Sequence, residues 1–498
     1  MVDLRAKPYR LSGGDAAWVR AAIASMTDEE KAGQLLFCAA PSQSPRKLVE
    51  EYHTGGFHCA GLPSRQTQEI LRALQTASPI PLFAACGTER GGSGAAADGT
   101  YIAGGRKITA TGRPQYAREL GFLANEEAAA MGFNMAFAPV CGLRPGGESP
   151  QSLRRITGLG AAYVTGVHDL PGFASVCRCF PGTAGSAPSP GGGFTQEGWL
   201  SACGEVYRAL MDTGVDGVLV SGWGQGSGTG PAALLRVGLG FQGVIICDTA
   251  PLTGPDRGEL LAAAVNGGCD MLLCPGDIEK DFTALLAAYR DGVIREERIN
   301  DALTRILGLK AQLGLNQRPR EELIPSAAAL AAILGAPKYK AAAEAITRDA
   351  LALARRGTPG LLPLAPEKYR RVLLADVPGP DSAVEAAEQT PAALLCQLLC
   401  DKNFDAFLSG EQGPGQTPDL ALLVSAAGRF GADGERPRPV PGVPAVGIST
   451  GTPLSPADAP ALDALINAYD AQPLTLEILV EKLLAGPEAF TGIVPTDT

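Results

Sequence analysis

The segment "GVIICD" (residues 243–248) runs an unbroken apolar stretch into a single carboxylate. A strand with one wet face alternates apolar and polar residues; this one does not, so both of its faces must be covered, as in a parallel sheet wrapped by helices. The same signature recurs in "GGFHCAG" (55–61), "PLFAACG" (81–87), "NMAFAPV" (134–140), "GFASVCRC" (172–179), "GVLVSG" (217–222) and "DMLLCPG" (270–276). Helical stretches such as "RQTQEILRALQTA" (65–77), "YARELGFLANEEAAAMG" (116–132) and "EVYRALMDTG" (205–214) separate them. Seven such strands over about 250 residues predict an α/β fold, a (β/α)8-type TIM-like barrel. An open doubly wound sheet is the alternative, because strand order alone does not show closure.

After the helical "REERINDALTRILGLKAQLG" (295–314), the polar, proline-bearing "NQRPREELIPSAAA" reads as a connection. A second series follows: "RVLLADV" (371–377), "AALLCQLLCDKNF", "DLALLVSA" (419–426), "PAVGIST" (444–450) and "TLEILVEKLLAG". It predicts a smaller C-terminal α/β domain, an αβα sandwich. The expected organisation is a barrel over 1–315, a linker over 316–335 and the sandwich over 336–498.

With 45% hydrophobic and 19% charged residues among 498, the chain can bury large cores. Its net charge of −10 argues against nucleic acid, whose binders concentrate Lys and Arg. No apolar run approaches the ~20 residues that span a bilayer, and the first residues lack the apolar core of a signal peptide. A cytoplasmic protein with no membrane partner is the expectation. The 12 cysteines are dispersed through apolar segments of a large chain and read as free thiols. No CxxC pair occurs, and no metal or cofactor is expected. The glycine-rich "ERGGSGAAADG" and "SGWGQGSGTG" lack the spacing of a phosphate loop or a dinucleotide fingerprint and read as plain loops. Nothing in the sequence speaks to the oligomeric state.

In a parallel barrel the chemistry sits at the carboxyl ends of the strands. Asp248 is the foremost residue there; a helix N-cap is its equal alternative, since Asp is a favoured cap. Glu89 and Arg90 follow Gly87, Arg178 and Cys179 end "GFASVCRC", and Arg154 and Arg155 follow "GGESPQSL", where a guanidinium suits a hydroxyl-rich or carboxylate ligand. Asp270 stands at the amino end of its strand and reads as structural. Cys86, Cys141 and Cys247 precede strand-end residues and, by alternation, point outward as small core residues.

The segments "MTDEEKAGQLLF", "PLFAACGTERGG", "EEAAAMGFNMAFAPV", "RRITG", "CRCFPG", "LGFQGVIICD" and "AAVNGGCDMLL" stand in an order and spacing that resembles glycoside hydrolase family 3, most closely its β-N-acetylhexosaminidase branch. The resemblance covers roughly residues 20–315, and "ARRGTPGLLPL" resembles the start of that family's C-terminal sandwich. It implies a retaining mechanism, with an aspartate nucleophile and a His/Asp acid–base pair on the loop after the fourth strand. Asp248 matches the nucleophile, and Arg155 matches the sugar-binding arginine of an "RSFG"-like motif. The family's "KHFPGHG" is met by Arg178, Cys179, Phe180, Pro181, Gly182, Thr183 and Ala184. The sugar-binding aspartate of "DxEGG" falls on Gly87, and the aspartate after "APV" falls on Gly142. Residues 183–194 contain no titratable side chain, so the acid–base pair has no counterpart.

The resemblance therefore implies a degenerate member, a pseudoenzyme with weak or no glycosidase activity. It keeps Asp248, with Arg155, Arg178, Cys179 and Glu89 left to bind a carbohydrate or a peptidoglycan-derived sugar. The alternative is an active retaining β-glycosidase or β-N-acetylhexosaminidase with a rebuilt acid/base, for which Glu89 and Glu435 are the candidates. The mouth is expected to be shallow and mostly neutral, lined by Gly87, Gly142, Arg155, Arg178 and Cys179.

Overall fold

The computed structural model describes residues 2–39, 45–143, 149–182, 196–221, 230–253, 256–274, 277–377, 390–411, 417–426, 430 and 440–494. They form two compact units: residues 1–102 with 117–340, and residues 103–116 with 341–498.

The first unit is a closed barrel of eight strands, each paired in parallel with the next. The strands are β1 (Leu36–Ala39), β2 (Gly56–His58), β3 (Phe83–Cys86), β4 (Met135–Ala136), β5 (Ala174–Phe180), β6 (Gly217–Val220), β7 (Val244–Asp248) and β8 (Met271–Cys274). Closure comes from β1 pairing with β8, Phe37 opposite Leu273, and it removes the open-sheet alternative. Seven of the strands coincide with the apolar runs. The eighth, "LFCA", begins one residue after the helix Asp28–Gln34 ends, and the sequence reading did not separate it from that helix.

Strand alternation sorts side chains into the barrel lumen and the helix layer. In the lumen, Phe37 stacks on Phe83 at 6.5 Å and meets Phe137 at 5.4 Å. Gly56 lies between the first two rings: a Cβ there would stand 2.8 Å from Phe37 Cε2 and 2.9 Å from Phe83 Cβ, so only glycine lets them meet. On the outer side Cys86, Cys141 and Cys247 are buried, as alternation predicts. The cysteines whose side chains are described are all free.

The amino end of the barrel is held by buried charge. Asp270, fully buried, pairs with Arg236 and Arg298 and accepts from Ile245 N at 2.9 Å, which confirms a structural role. Nearby, buried Asp216 accepts from Ser175 N and Gln312 Nε2 and lies 2.8 Å from His168 Nε2. Burial pulls the imidazole down, but the hydrogen bond and charge of Asp216 outweigh it, leaving His168 above its ordinary 6.5. A raised folded pKa means that the stabilisation is fully present below the unfolded value and lost as pH rises through the folded one. The stability gap between wild type and His168→Gln is therefore expected to be larger at about pH 6 than at about pH 8.5. Equal gaps in urea melts at the two pH values would contradict this.

The second unit is a six-stranded mixed sheet in the order β11-β10-β12-β13-β14-β9. Its strands are β9 (Ala352–Arg355), β10 (Arg371–Val377), β11 (Asp405–Leu408), β12 (Leu420–Ser425), β13 (Ala445–Ser449) and β14 (Ala464–Asn467). All pairs are parallel except β14 with β9 at the edge. Alternation divides β10 and β12 between two cores. Val372, Leu374, Leu420 and Leu422 meet the helices Pro391–Cys400 and Pro473–Ala485, while Leu373, Ala375, Ala421 and Leu423 pack with Leu454 and Leu462. Burial on both faces is what the unbroken apolar runs required.

The short helix Gly105–Thr111 belongs to this second unit through Lys107. Its ammonium, 1% exposed, lies 2.7 Å from Asp470 Oδ2 and 2.7 Å from Thr475 Oγ1, and burial pulls its pKa down against the pull of Asp470. Breaking a buried ion pair by removing one partner typically costs about 3–5 kcal/mol. Lys107→Met is expected to lower stability by about 3 kcal/mol, read as the urea midpoint. An unmoved midpoint would show that the pair contributes nothing. Among the described residues no helix is long and apolar enough to cross a membrane.

Candidate active site at the barrel mouth

Asp248, half-buried, closes β7 at the carboxyl rim. It is not a helix cap: the next helix, Arg257–Asn266, has Asp256 at its N-cap, and the Asp248 carboxylate instead accepts from Ala250 N at 3.0 Å. The turn behind it is clamped. Arg257 binds Asp281 through two contacts of 2.7 Å and donates to Thr249 O at 2.9 Å and to Thr249 Oγ1 at 3.0 Å. The residue after Asp248 is thus fixed by a partly buried, bidentate ion pair, which sets the backbone from which the carboxylate projects.

Across the rim, β5 ends in a register shift between Cys177 and Phe180, with Cys179 at φ +68°. A left-handed residue there is strained, and aromatic packing holds it in place. Phe180 is fully buried against Trp199 and Tyr207, with centroids at 5.1 and 4.8 Å, and the Tyr207 hydroxyl donates to Cys179 O. With the strand end so anchored, Arg178 and Cys179 are left half-buried at the rim. Burial pushes the Cys179 thiol up, so this position offers a neutral thiol and not an ionisable base.

Arg178 pairs with Glu89 through Nη2 and Oε1. The loop carrying Glu89 needs its glycines for close packing: a Cβ at Gly92 would lie 1.7 Å from Glu127 Oε2, and one at Gly94 would lie 1.5 Å from Gly87 O. Buried Glu127 accepts from Thr100 N and Oγ1, both at 2.9 Å. An acidic centre inside the loop is the opposite of a phosphate cradle.

His58, at the carboxyl end of β2, is a mouth residue that sequence reasoning passed over. Its ring stacks on Phe137 at 5.3 Å. Burial, then the charge of Arg178, pulls its pKa down against the opposing charge of Glu89, so it stands neutral within reach of that pair. Its position at a strand end was the available signal.

The structure thus brings Glu89, Arg178, Cys179 and His58 to one side of the mouth. Asp248 makes no hydrogen bond or ion pair with them among the described residues. Arg155, on the helix Pro150–His168, is half-buried and makes none either, while Arg154 is exposed and Gly142 half-buried. Glu89 was expected at the mouth; His58 beside it was not. Residues 183–194 and Glu435 lie outside the described residues. Among the described residues no group of three His, Cys, Asp or Glu could hold a metal.

Comparison with known proteins agrees with this architecture. The chain is 29% identical, over all of its length and 98% of the relative, to a beta-N-acetylglucosaminidase/beta-glucosidase of Cellulomonas fimi. Among solved structures it is similar to the beta-glucoside phosphorylase BglX bound to 2FGlc, at 26% identity and a TM-score of 0.85, covering 99% of this chain and 98% of that one. A family 3 beta-N-acetylglucosaminidase from Paenibacillus sp. str. FPU-7 shares the fold at 22% identity and a TM-score of 0.71, covering 95% of this chain and 100% of that one. The model of the glycosyl hydrolase family 3 N-terminal domain matches residues 27–309, the barrel with Asp248 on its rim, and the chain belongs to that family.

Proposed function

We propose that the barrel mouth binds a β-linked pyranoside and transfers its glycosyl group to Asp248, slowly, because the loop after β5 supplies no acid or base. The observation that carries this is the Asp248 carboxylate, fixed on the rim by the Arg257–Asp281 clamp, in a chain whose residues 183–194 hold no titratable group. Arg155, Arg178 and Glu89 are assigned to the ring, with Cys179 beside them. The nucleophile attacks the anomeric carbon and the aglycone leaves with the bonding electrons. Without a proton donor an alkoxide leaves poorly, a loss of about 10²–10⁴-fold. The names of the similar proteins point to glucose or N-acetylglucosamine as the sugar.

Phosphorolysis stands beside hydrolysis as the second reading, since the chain is similar over its full length both to a beta-glucoside phosphorylase and to a beta-N-acetylglucosaminidase/beta-glucosidase. In that case orthophosphate attacks the glycosyl ester of Asp248, releasing the carboxylate and a sugar phosphate, and no general base is needed to activate water. The test is turnover of aryl β-glucosides and β-N-acetylglucosaminides with and without orthophosphate, with Asp248→Ala as control. Slow turnover that vanishes in the variant supports the assignment, and acceleration by phosphate identifies the acceptor. Rapid cleavage of natural disaccharides overturns the slow, acid-deficient mechanism, and turnover that survives in Asp248→Ala overturns the nucleophile.

A further inference from the structure

Gly87 and Glu89 flank Thr88, whose side chain is tied back to Asn125 Oδ1 at 2.9 Å and to the Tyr163 hydroxyl at 3.0 Å. Alternation along extended chain turns positions 87 and 89 to the same side. Position 87 has no side chain, and a Cβ built there would lie 3.0 Å from Glu89 Oε2 and 3.8 Å from its Cδ. The Glu89 carboxylate therefore fills the space that a side chain at 87 would take. One of its oxygens is held by Arg178 Nη2. The other, Oε2, is buried without a hydrogen-bond partner among the described residues, and so is Arg178 Nε. One ion pair thus leaves one acceptor and one donor unmet, an unfavourable state for buried polar atoms that a ligand can relieve.

We infer that the Glu89–Arg178 pair is the hydroxyl reader of the site proposed above, that Glu89 supplies it from the space left by Gly87, and that it selects neutral pyranosides with free adjacent hydroxyls. The inference rests on the proposed sugar site. One hydroxyl donates to Oε2 while its neighbour accepts from Nε. The two side chains remain 24% and 36% exposed, so the pair can be reached, and a terminal carboxylate torsion is soft enough to turn Oε2 outward. Neutrality follows from charge. Glu89 already balances Arg178, so a carboxylate or phosphate placed at this pair would meet the charge of Glu89 while Arg178 is already engaged. Neutral His58 adds no cation.

The test is calorimetric titration of the full chain with methyl β-glucoside, methyl β-N-acetylglucosaminide and methyl β-glucuronide. It uses wild type, Glu89→Ala and the double variant Gly87→Asp/Glu89→Ala, each checked for an unchanged thermal midpoint. Wild type is expected to bind a neutral glycoside at least about tenfold more tightly than the glucuronide. Glu89→Ala is expected to lose about tenfold for the neutral sugar, the size of one hydrogen bond to a charged group. Gly87→Asp in that background is expected to recover most of the loss, because it regrows a carboxylate into the same space. If wild type binds none of the three, the sugar site itself falls and this inference with it. If wild type binds but Glu89→Ala is silent, the glucuronide binds as tightly, or Gly87→Asp fails to rescue, only the inference is overturned.

Discussion

Incubation with 2,4-dinitrophenyl 2-deoxy-2-fluoro-β-glucoside is expected to add the mass of one fluoroglycosyl group to the protein, on Asp248, and Asp248→Asn is expected to gain none. The expectation follows from what the mouth keeps and what it lacks. Asp248 is presented at the rim by a clamped turn, and nothing among the described residues pairs with its carboxylate except the Ala250 amide. A dinitrophenolate departs with its electron pair and needs little protonation, so the missing acid, worth about 10²–10⁴-fold for an ordinary alcohol, hardly matters for this donor. The second step is slowed by the fluorine, so the ester accumulates. Peptide mapping settles the matter: an adduct elsewhere, or an equal adduct in Asp248→Asn, would remove Asp248 from the role of nucleophile.

Asp270→Ala is expected to lower the unfolding free energy by about 3–5 kcal/mol, a large share of the about 5–15 kcal/mol that holds a typical domain. Asp270 is fully buried and faces Arg236 at 2.5 Å, Arg298 at 2.7 Å and Arg305 at 3.9 Å, whose side chains are only 15%, 14% and 8% exposed. Removing the carboxylate leaves three guanidinium groups crowded in a region where water cannot replace it. Asp301 still pairs with Arg298 and Arg305, which keeps the cost finite. Asp270→Asn retains the shape and one hydrogen-bond acceptor and should cost less. The comparison is made by urea titration; an Asp270→Ala midpoint within error of wild type would mean that Asp301 and the backbone carbonyls satisfy the arginines alone.

Much of the site was visible along the chain because it lies at strand ends. Asp248 stands where an apolar strand stops, and Arg178 and Cys179 where another does. What could not be seen was pairing. Nothing in the spacing of Glu89 and Arg178 says that they form one ion pair. Nor could it show that the absent side chain at Gly87 makes room for Glu89, or that His58 turns into the mouth beside them. These depend on the register of β2 through β5, which sets which strand ends stand at one height. Asp248 lost its reading as a cap for a similar reason: the helix begins only at Arg257, after a turn that the Arg257–Asp281 pair holds.

The sequence alone determined the fold class, because burial on both faces leaves a mark in every strand independent of its neighbours. Unbroken apolar runs alternating with helices are a local property, and they specified a parallel α/β chain followed by a smaller second sheet. Tertiary structure decided the rest. It closed the barrel through "LFCA", a strand hidden by the helix that precedes it, and it put β9, β11 and β14 into the second sheet. It also drew residues 103–116 into the second unit through the buried Lys107. Each of these is a pairing between distant segments, and its free energy depends on register and on which charges are buried together, quantities that no local pattern carries.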